Sequence, residues 1–180
     1  MQDLVDQPEF LLDLLEICTQ QAILFAKAQI EAGADFIGIG DAAASLIGPE
    51  SYTNFVLPYE QRFIRAIHAY GAKARLHICG NISSLLKILS ETGADIIDFD
   101  YPVEFSNAVA ALSSSIAANG NFEPSRILLQ GSVEDVRQAV RHCTSVSKDN
   151  TFISAGCEVP RDTPMENLFA VSDTLWSLSI

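Results

Sequence analysis

Two spacings of apolar residues alternate along this chain. From about Pro8 to Ala32 the apolar positions fall three and four residues apart, as on one face of a helix, and Gly33 ends that helix. The run ADFIGIG at 34–40 follows and is typical of a short buried strand. A weak internal repeat relates EAGADFIGIGD to ETGADIIDFDY, which share a helix end, a glycine and a β-branched run. The pattern therefore predicts helices that alternate with strands.

The rest of the chain continues this alternation. In chain order it predicts a helix over about 49–70, a strand at 72–79, a helix over about 82–91, a strand at 94–100, a helix near 104–112, a strand within 113–121, a short extended segment at 126–131, a helix from Ser132 to about His142, a strand at 151–157 and a final helix after Thr163. Strands separated by helices imply right-handed crossovers and a parallel sheet, so the fold class is α/β. A complete (β/α)8 barrel takes roughly 250 residues. With about five strands, a barrel would be present here only in part.

Composition and charge narrow the functional classes. The 180 residues are 48% hydrophobic and show no linker, so residues 1–180 are interpreted as a single α/β domain. A net charge of -12 argues against nucleic acid or an anionic membrane as partner. Charged residues interrupt the apolar segment 10–30, which excludes a signal peptide or membrane span there and suggests a cytoplasmic protein. The four cysteines are then expected to be reduced thiols or metal ligands.

The stretch ARLHICGN at 74–81 carries the strongest chemical signal. Alternate side chains of a strand share a face, so Arg75, His77 and Cys79 lie together, opposite an apolar face. By the same rule Asp98 and Asp100 share a face of their strand. In α/β proteins, sites are built at the carboxyl ends of the strands, where His77 and Cys79 stand.

A His and a Cys two residues apart, with Cys157 at the end of a later strand, could hold zinc through three ligands and leave a fourth position open, as catalytic zinc sites do. The same residues also fit a hydrogen-bonded core histidine and two buried free thiols. Asp41, Asp100 and Glu158 lie at or just beyond strand ends and are candidate catalytic residues, although helix caps or surface groups fit them too. Arg75 could bind an anionic substrate group or form a buried ion pair.

Four segments together resemble a known family. They are GDAAASLIGPESYTNFVLPYEQRFIRAIHAYGAKARLHICGN, LSETGADIIDFD, GNFEPSRILLQGSVEDVRQAV and SAGCEVPRDTPMENLFA, and in this order they are similar to the C-terminal half of the uroporphyrinogen decarboxylase superfamily. HICGN together with GCEVP is most similar to its corrinoid-dependent branch, which methylates coenzyme M. The resemblance implies part of a (β/α)8 TIM barrel and zinc held by His77, Cys79 and Cys157.

The implied activity is a zinc-dependent transfer of a methyl group from a methyl-corrinoid, supplied by a partner corrinoid protein, to a small thiol such as coenzyme M. Such a reaction needs a thiolate, and zinc with an open position lowers the pKa of a bound thiol. The first alternative is a uroporphyrinogen decarboxylase-type lyase, which in this superfamily works without metal and uses an arginine-rich N-terminal motif that is absent here. The second is an inactive fragment or subunit of a longer protein. A partial barrel would expose sheet edges, which favours a homo-oligomer.

Overall fold

Five parallel strands form one sheet in the computed structural model, which describes residues 2–178. The strands are β1 (Phe36–Gly40), β2 (Lys73–Ile78), β3 (Ile96–Phe99), β4 (Ala117–Phe122) and β5 (Thr151–Ala155). They stand in the sheet in their chain order, and each pairs in parallel with the next. The predicted α/β class with about five parallel strands is confirmed.

Helices connect the strands on the face that the apolar side chains cover. They are α1 (Asp3–Asp6), α2 (Pro8–Glu31), α3 (Pro49–Ser51), α4 (Leu57–Ala69), α5 (Leu86–Leu89), α6 (Phe105–Ala111), α7 (Val133–Ser145) and α8 (Met165–Leu178). A 3-10 helix spans Ala42–Leu46, and π-helical turns span Tyr52–Val56 and Pro124–Leu129. Among the described residues, no helix combines the length and the hydrophobicity needed to cross a membrane.

Two predicted elements differ from the structure. The segment 126–131 is not extended, because the π-helical turn Pro124–Leu129 contains most of it and buries Ile127 and Leu128. A short apolar run of this kind fits a strand and a buried helix equally well. The helix predicted over 82–91 is reduced to α5, with turns on both sides. By contrast, the predicted cap of α7 is confirmed, since Ser132 and Asp135 form a reciprocal capping box.

The core lies between the sheet and its helices. Leu76 and Ile78 of β2 are fully buried, and their partners in β3, Ile97 and Phe99, are buried beside them. Fully burying one such side chain stabilises the fold by about 1.5–3 kcal/mol. Neighbours on β2 alternate with these residues and point to the other face, where Arg75 is exposed and His77 is half-buried. The inner face of the sheet is thus left for polar side chains, as the alternation in ARLHICGN predicts.

Candidate metal centre

Three side chains that are distant in sequence meet at the carboxyl end of the sheet. His77 Nε2 lies 3.1 Å from Cys79 Sγ and 3.7 Å from Cys157 Sγ, and the two sulfur atoms are 3.8 Å apart. His77 belongs to β2, Cys79 follows it, and Cys157 follows β5. Strands three positions apart in a flat sheet are separated by about 14 Å. The sheet must therefore curl, as in a barrel, to bring these atoms together.

Two glycines hold the cysteines in place. Gly80 has a φ of +85°, a left-handed conformation that favours glycine, and its N–H donates to Asp100 Oδ2 at 2.7 Å. Gly156 packs so closely on the chain after β3 that a Cβ atom there would lie 2.5 Å from Tyr101 N. Its own N–H donates to Phe122 O at 2.9 Å. Both thiols are therefore positioned by backbone packing.

The three ligand atoms fit a tetrahedral zinc ion. With the usual Zn–S and Zn–N bond lengths, a tetrahedron places two sulfur atoms about 3.8 Å apart and a nitrogen about 3.6 Å from each sulfur. The observed S–S distance of 3.8 Å and the His77–Cys157 distance of 3.7 Å agree, while the 3.1 Å between His77 and Cys79 is shorter. One imidazole and two thiols are also the donors that zinc prefers. These residues could thus hold zinc and leave one side open.

A cavity of about 400 Å³ lies beside the cluster on the inner face of the sheet. Its lining includes Arg75, His77, Asp98, Cys157 and Glu158. A small molecule that enters this cavity therefore reaches His77 and Cys157, two of the three candidate ligands.

The surroundings of Cys79 disfavour the thiolate form of its side chain. Burial raises its pKa, and the hydrogen bond with Cys157 and the charge of Asp100 raise it further. A metal ion must displace this proton in order to bind the thiolate. Metal affinity is therefore expected to fall as the pH is lowered.

The three predicted catalytic residues lie in different surroundings. Glu158 is exposed and lines the cavity beside Cys157. Asp100 is buried and accepts hydrogen bonds from the N–H groups of Gly80 and Tyr101, each at 2.7 Å. Asp41 caps the 3-10 helix by accepting from Ala44 N at 3.3 Å, and it lines a second cavity next to α2 and α4. The structure thus brings Glu158 and Asp100 to the metal centre but leaves Asp41 outside its cavity.

Asp98 interacts with Arg75 and not with His77. Its carboxylate accepts from Arg75 Nε at 2.7 and 3.0 Å and from Asn119 Nδ2 at 2.8 Å. The sequence reasoning did not identify Asn119, a polar residue that lies within the buried strand β4. The ion pair expected as one alternative for Arg75 is present, but about half of the arginine side chain remains exposed.

A second buried polar pair was also missed. Glu60 of α4 is buried, and its Oε2 accepts a hydrogen bond from the hydroxyl of Tyr52. Burial raises the pKa of Glu60 to about 7, the Tyr52 hydrogen bond opposes this increase, and the charge of Asp41 adds to it. Both Glu60 and Asp41 line the second cavity, of about 390 Å³. The signal in the sequence was a carboxylate placed on the buried side of an amphipathic helix.

A curled parallel sheet with a His/Cys/Cys cluster at its carboxyl end defines an α/β barrel protein with a candidate metal centre. Residues 1–177 match the family model of uroporphyrinogen decarboxylase (URO-D), and the chain belongs to this family. A methyltransferase from Methanosarcina mazei superposes with a TM-score of 0.92 at 24% identity, over 100% of this chain and 53% of that one. The expectation of a partial (β/α)8 TIM barrel is confirmed.

Curated relatives come from both branches of the family. The chain is 36% identical over 157 residues to "Methylcobamide:CoM methyltransferase MtbA" of Methanosarcina acetivorans, covering 86% of this chain and 45% of the relative. It is 31% identical to "Methylated-thiol--coenzyme M methyltransferase" of Methanosarcina mazei, over 91% and 43%. A "Uroporphyrinogen decarboxylase" of Nostoc sp. is 27% identical, over 96% and 49%. The chain therefore spans about half the length of the curated relatives it matches.

Proposed function

We propose that this chain carries the thiol-activating centre of a corrinoid-dependent methyltransferase. In this proposal His77, Cys79 and Cys157 hold zinc, and a methyl-corrinoid on a partner protein is the methyl donor. The acceptor is a small thiol such as coenzyme M. The observation that carries the proposal is the convergence of one imidazole and two thiols, all three ligand atoms within 4.8 Å of one another, at the end of the curled sheet. The similarity of the chain to methylcobamide and methylated-thiol coenzyme M methyltransferases supports it.

Each part of the site has a task in this proposal. Zinc, when bound, lowers the pKa of a thiol that occupies its open position. Two thiolates and a neutral imidazole balance the charge of the ion, so the site as a whole stays near neutral. Asp100 positions Cys79 by holding the N–H of Gly80, and Glu158 meets the substrate at the edge of the cavity. Asp41 is assigned a capping role, because its carboxylate already accepts from Ala44 N.

Metal content provides the decisive test. The purified chain should contain about one zinc ion, and Cys79→Ala or Cys157→Ala should lose most of it, because two remaining ligands cannot hold the ion tightly. Cys18→Ala is the matched control, since this exposed thiol lies on α2 outside the cluster. A chain that folds in reducing buffer and takes up no zinc would rule the proposal out.

The decarboxylase remains the second candidate, because decarboxylase relatives cover up to 97% of this chain. Binding of a porphyrin by the metal-free protein, unchanged in Cys157→Ala, would favour it.

The relatives are about twice as long, so an inactive fragment or subunit is the third candidate. Zinc binding without any methyl transfer from methylcobalamin to a thiol would favour that candidate.

A further inference from the structure

The second cavity, of about 390 Å³, lies between β1 and the helices α2 and α4. It meets the cavity beside the metal centre at β1, since Ile39 and Gly40 line both. None of His77, Cys79 and Cys157 lines the second cavity. A molecule held in it is therefore apart from the candidate metal ligands.

The walls of the second cavity are apolar side chains that the fold leaves half-buried. Those from α2, from α4 and from the π-helical turn before α4 are Leu11, Leu15, Ala22, Phe55, Val56 and Phe63. The three residues from α2 follow one another at spacings of four and seven, so they share one face of the helix. An apolar group that enters the cavity covers this surface and removes it from water, which favours binding. The volume lies within the range of about 300–1,000 Å³ that is usual for small-molecule pockets.

Glu60 presents one unsatisfied carboxyl oxygen to this apolar space. The residue is buried and lines the cavity. Its Oε2 accepts from the hydroxyl of Tyr52, whereas Oε1 is buried and has no hydrogen-bond partner within residues 2–178. A buried acceptor without a donor costs free energy. A ligand that donates a hydrogen bond to Oε1 removes that cost.

The charge of the cavity selects the class of ligand. Burial raises the pKa of Glu60, and the charge of Asp41, which also lines the cavity, raises it further. Among the described residues that line the cavity there is no lysine, arginine or histidine. A cation that enters is therefore attracted to both carboxyl groups, whereas an anion is repelled. An ammonium group also brings N–H donors, and its hydrogen bonds to a carboxylate are stronger than those between neutral groups.

We propose that the second cavity is a binding site for a small primary amine with an apolar body. The ammonium group donates to Glu60 Oε1 and is attracted by Asp41, while the hydrocarbon part packs between α2 and α4. The site uses none of the candidate metal ligands, so it goes beyond the proposed function and does not depend on it.

Calorimetry on the full chain at pH 8 compares 2-phenylethylamine with 2-phenylethanol, which have nearly the same shape and differ in charge. Glu60 is ionised at this pH, because its pKa is about 7. The amine should bind about ten- to a hundredfold more tightly than the alcohol, as expected for a hydrogen bond to a charged group. Glu60→Gln should lose most of this preference and keep an affinity for the alcohol close to that of the wild type. Glu50→Gln, which removes an exposed carboxylate from α3, is the matched control and should keep the preference.

Two further variants locate the site. Ala22→Phe places an aromatic ring in the cavity and should abolish binding of both compounds, which also excludes binding of the amine to the acidic surface of the protein. This variant tests the inference even if Glu60→Gln does not fold. Cys157→Ala should bind the amine as the wild type does, so loss of the metal centre leaves this result unchanged.

Three results would overturn the inference. The first is a wild type that binds neither compound, or binds the amine no better than the alcohol. The second is a folded Glu60→Gln variant that retains the full preference for the amine. The third is a folded Ala22→Phe variant that binds the amine as the wild type does. In each case Glu60 serves only as a buried partner of Tyr52.

Discussion

Replacing Glu60 by Gln tests whether a buried carboxyl group sets the pH dependence of stability. Glu60 is 6% exposed, accepts a hydrogen bond from Tyr52, and has no partner for Oε1 within the described part of the chain. Burial raises its pKa from 4.5 to about 7. Because the folded state holds the proton more tightly than the unfolded state does, the contribution to stability is full below about pH 4.5. It is lost as the pH rises through about 7.

The magnitude follows from the two pKa values. The gap between 4.5 and about 7 corresponds to about 3 kcal/mol of unfolding free energy between the two ends of this range. Glutamine has nearly the same shape, and its carbonyl can still accept from the Tyr52 hydroxyl. Glu60→Gln should therefore equal the wild type at acidic pH. Above neutral pH it should be more stable by up to about 3 kcal/mol.

Urea unfolding followed by far-UV circular dichroism, from about pH 5 to pH 8, measures this difference. Fluorescence is a weaker probe, because Trp176 is the single tryptophan and is 74% exposed. Glu50→Gln is the control, since Glu50 is exposed and its variant should follow the wild type. Parallel pH profiles for the wild type and Glu60→Gln would refute the reasoning.

Two other substitutions test packing and surface charge. Gly156→Ala places a Cβ about 2.5 Å from Tyr101 N, so it should lower the free energy of unfolding by about 1–3 kcal/mol. It should also weaken zinc binding, which a competition with a chelator measures. Gly48→Ala is the control and should have neither effect, because the space around its new methyl group is open. Partial burial raises the pKa of Asp95, but hydrogen bonds from Lys73, Ala74 N and His68 outweigh it and lower the pKa. The stability that Asp95 contributes is thus present above the unfolded pKa of 3.8 and lost as the pH falls through the folded value. Asp95→Asn should therefore lower the free energy of unfolding by about 1 kcal/mol or less near neutral pH. In urea unfolding experiments this difference from the wild type should disappear at acidic pH. A difference that persists in acid would contradict the ion-pair explanation.

Local patterns in the sequence were sufficient for several parts of the structure. Alternation within 74–79 assigned Arg75, His77 and Cys79 to one face, and the capping residues located the start of α7. Both inferences depend only on the geometry of a single strand or helix, which near neighbours along the chain determine. The prediction for 126–131 was wrong because a short apolar run has no period that distinguishes a strand from a buried helical turn.

The amino-acid sequence was enough to predict the alternation of helices and strands, the parallel sheet and, with the family resemblance, the candidate ligands His77, Cys79 and Cys157. That these ligands meet could be seen only in three dimensions, because the distances between them depend on the curl of the sheet and on the packing of Gly156. The pairing of Asp98 with Arg75 and the position of Asp41 outside the cavity are likewise visible only in the folded structure. Contacts of this kind join residues more than 20 positions apart, and no local period along the chain records them.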